Sequence, residues 1–382
     1  MGLSGDKPRT SSGRFEFIDF TRGVVMAIMA WDHVSGFWNN LHHGGEGVGG
    51  NAPEFANVVW FFARFVSHYC APTFIFLAGT VLAISTIRRV SRGQSEWSLS
   101  FHLIVRGLVL LLMEALVVAP AFGTSRYYFG VIACIGVCFI LFSVARKLPI
   151  PILFMLSLFI VLNHSFINLD FIPDNIWWGH YLRVIIHEPS YEWRPFVGLY
   201  PIIPWIGVMG IGWTFGSILL NMDADQISNL REPLKKIGFA SIAAYFLVRL
   251  VSGYGTLVPR LGFSVMDIMY VSKYPPSVAF LLWTLGGMCL FMSLGLRLQD
   301  HPEYHEGFTA VILAYGRNPL FFYLTHLWLY RLRPWWVRRG PFALPLIPTL
   351  ALWIMGLAVL WQLCIRYEVV KRQHPRSFLQ YI

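Results

Sequence analysis

The chain has 382 residues, 56% of them hydrophobic and 13% charged, with a mean hydropathy of +0.56. Soluble domains carry about 25% charged residues, so this composition excludes an ordinary soluble protein and predicts an all-α, polytopic transmembrane helical bundle whose partner is the lipid bilayer. The formal net charge of +10 is read as the Lys and Arg bias of cytoplasmic loops, and no nucleic-acid partner is expected.

Residues 1–13 are polar and read as a disordered cytoplasmic stretch, with no A-x-A-like cleavage site after the first apolar run. Runs close to the ~20 residues that cross a bilayer then predict about ten spans, at 15–38, 58–87, 100–120, 127–144, 150–168, 198–221, 236–252, 275–298, 308–330 and 343–366. A long polar and aromatic loop, 169–197, precedes the sixth span, the bundle continues to residue 370, and 371–382 reads as a cytoplasmic tail. Cys70, Cys134, Cys138, Cys289 and Cys364 all lie in apolar segments without CxxC spacing, so neither a zinc site nor a disulfide framework is expected. Cys134 and Cys138 share a helix face and are read as packing residues.

With the N-terminus inside, cytoplasmic segments hold 16 Lys and Arg and external loops nine, although Arg331, Arg333, Arg338 and Arg339 fall on the outer side. This asymmetry predicts two cytoplasmic termini in a multi-pass protein of the cell (inner) membrane.

Charged groups inside spans are expensive and mark function by default. The first span carries Asp19 and Arg22 at its inner end and Asp32 and His33 at its outer end. Asp19 and Arg22, three apart, can pair. Arg22 and His33 are eleven residues apart, which leaves about 20° of helical offset and about 16 Å of axial separation. They lie on one polar stripe through most of the bilayer.

The second span begins with Arg64 and His68, the third carries Arg106 and Glu114 as a candidate buried pair across helices, and the ninth contains Gly316-Arg317-Asn318-Pro319 and then His326. Pro319 breaks a helix, which is tolerated where the chain lines a cavity. Tyr200-Pro201-Ile202-Ile203-Pro204-Trp205 and Lys273-Tyr274-Pro275-Pro276-Ser277 stiffen two outer-end entries. His33, His68 and His326 are thus expected around one outer cavity with Arg317 below them. His42 and His43, in a glycine-rich loop, are expected to be solvated, and scattered histidines without HxxxH spacing predict no metal site.

Several segments carry a resemblance. Arg14-x4-Asp19-x2-Arg22-Gly23 with Met29 and Asp32-His33 resembles the first span of membrane acyltransferases related to heparan-alpha-glucosaminide N-acetyltransferase. His68-x3-Pro72-x-Phe74-x-Phe76-Leu77-Ala78-Gly79, the two proline-rich entries and Gly316-Arg317-x-Pro319-Leu320-Phe321-Phe322-Tyr323-x2-His326 are similar to the bacterial branch of that family, over about residues 14–382. The resemblance implies acetyl transfer from cytosolic acetyl-CoA to an amino sugar across the membrane. The animal enzymes have Asn at the position of His33 and an essential His eleven residues later, which falls here at Gly44, beside His42 and His43.

On this reading His33 is the leading base or transient acyl carrier, oriented by Asp32, with His68 and His326 as further catalytic candidates. Arg317 and Asn318 are candidates to position a carbonyl oxygen, and Arg22, Arg106 and the Arg88/Arg89/Arg92 cluster to meet coenzyme A phosphates. The acceptor is a small molecule or glycan of the envelope, and a homodimer is left open. The rival reading is a transporter of a polar envelope precursor, which intramembrane charges and proline-broken helices suit equally. A non-catalytic membrane partner explains the embedded charges poorly.

Overall fold

The computed structural model describes residues 14–39, 41–123, 127–173, 177–191, 196–332, 344–374 and 377. The N-terminal stretch 1–13, most of the tail 371–382 and the basic residues Arg333, Arg338 and Arg339 lie outside the described residues. Among the described residues 75% are helical, with almost no strand, and five helical stretches are long and apolar enough to cross a membrane: Val58–Ser91, Glu96–Ala121, Ile202–Leu219, Val278–Gln299 and Leu346–Gln373.

Helix α1 (Glu16–Trp38) carries the most charge of any expected span and is largely buried. It packs against the helices Cys70–Ser91, Val278–Gln299, Gly307–Arg317, Pro319–Arg331 and Leu346–Gln373, so its ionisable side chains face protein instead of lipid. The segment 58–91 is α2 (Val58–Phe65), a 3-10 turn Val66–Tyr69 and α3 (Cys70–Ser91). Next come α4 (Glu96–Met113), a π turn Glu114–Val118 and the short α5 (Ala119–Ala121). Two apolar helices follow, α6 (Val131–Ala145) and α7 (Ile150–Asn163).

The loop expected at 169–197 contains a helix of its own, α8 (Trp177–Ile186). Beyond it run α9 (Ile202–Leu219), α10 (Ala224–Asn229), α11 (Arg231–Val251), α12 (Val265–Met269) and α13 (Val278–Gln299). The segment expected at 308–330 is two helices, α14 (Gly307–Arg317) and α15 (Pro319–Arg331), broken at Asn318. Pro319 has no N–H to offer the preceding turn, and Arg22 Nη1 caps the exposed Gly316 carbonyl at 2.9 Å. Helix α16 (Leu346–Gln373) closes the chain.

Where lipid gives no hydrophobic drive between helices, close backbone approach through small residues holds them together. A Cβ on Gly212 of α9 would stand 2.0 Å from the Phe76 carbonyl oxygen of α3, and one on Gly79 of α3 would stand 2.1 Å from the Met209 carbonyl oxygen of α9. Gly107 and Gly136 form the same seam between α4 and α6, and Gly23 and Gly316 that between α1 and α14. A pair of three-residue parallel strands, β1 (Tyr127–Phe129) and β2 (Phe196–Gly198), joins the loop before α6 to the loop before α9.

Gly212→Leu is therefore expected to lower the melting temperature in detergent sharply, because the intruding side chain meets backbone. Gly253→Ala, whose Cβ would meet nothing nearer than 3.9 Å, is expected to melt like the parent. Equal melting of the two variants would contradict the seam.

Candidate functional site

The C-terminal half of α1 opens on a cavity of about 740 Å³ whose walls include Asp32, His33, His42, Arg64, Tyr200 and Lys273. Its framework is a buried ion cluster. Arg64 Nε and Nη2 donate to the two carboxylate oxygens of Glu46 at 2.6 and 2.9 Å, and Nη1 donates to Asp32 Oδ1 at 2.5 Å. One guanidinium thus pairs with both carboxylates, meeting Glu46 with the fork geometry that suits bidentate pairing. Burial pushes the Glu46 carboxyl up, but the Arg64 charge and hydrogen bonds outweigh it and hold the group well below the usual glutamate range. That pairing contributes fully above the unfolded glutamate pKa of about 4.3 and is lost as pH falls toward the lowered folded value.

Glu46 reaches Arg64 because the glycine-rich loop folds back onto the bundle. Gly45 and Gly47 adopt φ of +89° and +92°, and a Cβ on Gly47 would collide with Ser272 Oγ. Neither position accepts a side chain without strain. The same fold turns His42 inward, so the expectation of a solvated His42 is corrected: its Nε2 lies 2.9 Å from Asp32 Oδ1 and only 7% of its side chain is exposed. His43 remains exposed.

The second histidine system is separate. His33 Nδ1 lies 2.6 Å from His326 Nε2, with ring planes 20° apart, and His326 Nδ1 lies 2.9 Å from the Phe322 carbonyl oxygen. A carbonyl only accepts, so His326 Nδ1 carries the proton. His326 is fully buried with no carboxylate beside it, and a neutral ring avoids the cost of an unpaired buried charge. Its Nε2 is then an acceptor, His33 Nδ1–H donates to it, and His33 Nε2 is left as a lone pair. Each ring fixes the tautomer of the next. His33 is therefore oriented by His326, and the expectation that Asp32 orients it is corrected: Asp32 is engaged by Arg64 and His42.

The structure also revises the shared layer of three histidines. Among them only His33 lines the cavity. His326 stands behind His33, and His68 stands behind Arg64, with Nε2 3.4 Å from Glu46 Oε1 and its ring against Phe65 and Phe280. The two proline-rich entries meet through Tyr200 and Tyr274, whose hydroxyls are 3.4 Å apart and which both line the cavity.

A second cavity, of about 290 Å³, opens beside the N-terminal half of α1. Arg14, Arg22, Arg106, Arg317 and Lys371 line it with a slot of apolar side chains between them. Phe74, Val131 and Tyr323 belong to the walls of both cavities, which therefore abut. A third hollow, about 380 Å³, shares Arg14 and Arg22 and adds Arg88, Arg89 and Arg92. Arg22 also donates to Asp19 at 3.0 Å and Arg317 to Glu16 at 3.3 Å. Asn318 lines none of these hollows; it is buried and donates to the Ala314 carbonyl. The expected Arg106–Glu114 pair is replaced by two separate contacts. Arg106 lies over the Phe139 ring, and Glu114 accepts from the Ala133 backbone N–H at the start of α6. Among the described residues no group of three or more His, Cys, Asp or Glu side chains is arranged to hold a metal ion.

A basic hollow and a histidine-bearing hollow thus lie back to back beside one central helix. Residues 14–250 match the family model described as heparan-alpha-glucosaminide N-acetyltransferase, catalytic. The chain belongs to that family, whose enzymes are acetyl-CoA-dependent acetyltransferases of the membrane type. A search of curated proteins returned no significant match. The family match ends before Lys273, Arg317 and His326, which join the site through the contacts given above.

Arg64→Met leaves two buried carboxylates without their counter-charge, a loss of roughly 3–5 kcal/mol for a broken buried pair. We expect a clear fall in melting temperature in detergent; unchanged melting would show that the cluster is not the framework of the cavity.

Proposed function

We propose that the protein crosses the cell (inner) membrane about ten times with both termini cytoplasmic, and transfers an acetyl group from cytosolic acetyl-CoA to an amino sugar or other envelope glycan on the outer side. The observation that carries this reading is the shared wall of Phe74, Val131 and Tyr323 between the two cavities. A thioester held in the basic hollow by its charged end would turn its acetyl group toward this wall, where Tyr323 lies against the His33 ring. Family membership favours this reading over a transporter of a polar precursor.

The residues divide the work. Arg14, Arg22, Arg106, Arg317 and Lys371 supply cations for the phosphates of coenzyme A, with Arg88, Arg89 and Arg92 adjoining, and the apolar slot suits its uncharged arm. His42 donates Nε2–H to Asp32, which stabilises the imidazolium formed when its Nδ1 takes a proton from the acceptor amine or hydroxyl. His42 also lies beside the position at which the animal enzymes carry their essential histidine. His33 lies against Tyr323 at the joint of the cavities and presents its Nε2 lone pair to the acetyl carbonyl, as the transient carrier of the acyl group. In the first step the C–S bond breaks, an N–acetyl bond forms on His33, and coenzyme A leaves as the thiolate. In the second the acceptor attacks that carbonyl, His42 takes its proton, and His33 is restored.

The test is calorimetric acetyl-CoA binding alongside thiol release. Arg106→Ala is expected to weaken binding about ten-fold, a loss of about 1.4 kcal/mol. His33→Ala and His42→Ala should keep wild-type binding and lose turnover by about 10²–10⁴-fold, the usual worth of a positioned acid–base group. Hydroxylamine, already deprotonated at neutral pH, should restore turnover to His42→Ala and not to His33→Ala. Wild-type protein that binds no acetyl-CoA, or a His33→Ala variant with full turnover, would contradict the proposal.

A further inference from the structure

Lys273 is a buried cation whose role the steps above leave unassigned. It belongs to the His33 cavity wall and is 4% exposed. Its backbone N–H donates to the Glu46 carbonyl at 2.9 Å, so the loop that supplies Arg64 with its carboxylate also fixes Lys273 in place. Its Nζ lies 5.1 Å from the centroid of the Tyr274 ring.

Among the described residues no carboxylate stands within 4.0 Å of that Nζ and no hydrogen-bond acceptor holds it, although two carboxylates share its cavity region. Glu46 gives both oxygens to Arg64, and Asp32 turns Oδ1 to Arg64 and His42. An ammonium has three donors and no acceptor capacity, and burying one with only an aromatic face for company is unfavourable unless an anion completes it. The cavity is also rich in tyrosine, with Tyr128, Tyr191, Tyr200 and Tyr274 around the same space, which suits a sugar ring.

We propose that Lys273 is a specificity-determining residue that selects acceptors bearing an anionic group, a carboxylate or a phosphate, on the sugar that is acetylated. The inference deepens the acetyl-transfer reading and rests on it for the identity of the cavity. A neutral amino sugar would leave the Lys273 ammonium without a close anionic acceptor, whereas an acidic one pairs with it and is drawn into a fixed register beside His33 and His42.

The experiment titrates glucosamine, glucosamine 6-phosphate and muramic acid into the full-length protein in detergent, by calorimetry, for wild type, Lys273→Gln and Lys273→Arg. Wild type is expected to favour at least one charged probe over glucosamine by about ten-fold or more, and the preferred probe tells phosphate from carboxylate. Lys273→Gln should lose that preference while its glucosamine affinity stays as in wild type, and Lys273→Arg should keep it. Lys273→Met, of similar length, takes the place of the Gln variant should that one fail to fold. Equal binding of all three probes by wild type, binding of none, or a preference that survives loss of the charge would overturn the inference. Thiol release from acetyl-CoA with glucosamine reports separately on acetyl transfer. Transfer without any charge preference sinks only the role of Lys273; a Lys273-dependent preference without thiol release sinks only the transfer.

Discussion

The bifurcated pairing of Arg64 with Asp32 and Glu46 is the constraint on which the rest of the site depends. Asp32 belongs to the central helix, Arg64 to the second apolar segment, and Glu46 to the loop between them. Without the guanidinium the two carboxylates would repel each other in a dry environment. With it, they pull the glycine-rich loop down onto the bundle. That movement seats His42 on Asp32 and places the Glu46 carbonyl against the Lys273 backbone. One ion cluster therefore holds the loop at the cavity, orients His42 and fixes the backbone of Lys273. Such clusters contribute little net stability relative to apolar packing. Their persistence here is explained by what they hold in place.

The helix that carries Asp32 also carries Arg22, and the distance between them along α1 separates two kinds of chemistry. At the N-terminal end Arg22 braces the break between α14 and α15 by donating to the Gly316 carbonyl. That break lets Pro319, Leu320 and Tyr323 form walls of the basic hollow. At the other end His33 leans on His326, which lies on the same broken element. The break at Asn318 is thus tied to α1 at both of its ends, by a guanidinium on one side and an imidazole on the other. The basic hollow and the histidine-bearing cavity share the wall of Phe74, Val131 and Tyr323.

What the sequence revealed followed from contrast. Asp19, Arg22, Asp32 and His33 stand out because they interrupt an apolar run, and Pro319 announces a break in a helix. Among the described residues each expected apolar segment contains a helix, and five helical stretches are long and apolar enough to cross a membrane. His42 reads as solvated and Glu46 carries no expected role, because a polar side chain in a glycine-rich loop is unremarkable until the loop is seen to fold inward; the run of glycines on either side of Glu46 is the available signal. Asp32 and His33 are neighbours in the chain, and adjacency suggested a pair. On a helix, adjacent side chains point about 100° apart, which sends one to Arg64 and the other to His326. Helix α8 was hidden in the loop 169–197 because ten residues rich in Trp, His and Tyr give no membrane-length run. The Arg106–Glu114 pairing failed because Glu114 lies in a π turn, whose altered spacing aims it at the start of α6.

The central claim is that donor and acceptor act from opposite faces of one bundle. It is tested most directly in sealed proteoliposomes with acetyl-labelled acetyl-CoA outside and glucosamine 6-phosphate, muramic acid and glucosamine trapped within, neither side being membrane-permeant. The account predicts labelled acetyl-sugar in the lumen, with free coenzyme A accumulating outside in equal amount. Labelled sugar formed only when both reactants share a compartment, or unlabelled sugar crossing the membrane while acetyl-CoA stays intact, would contradict it.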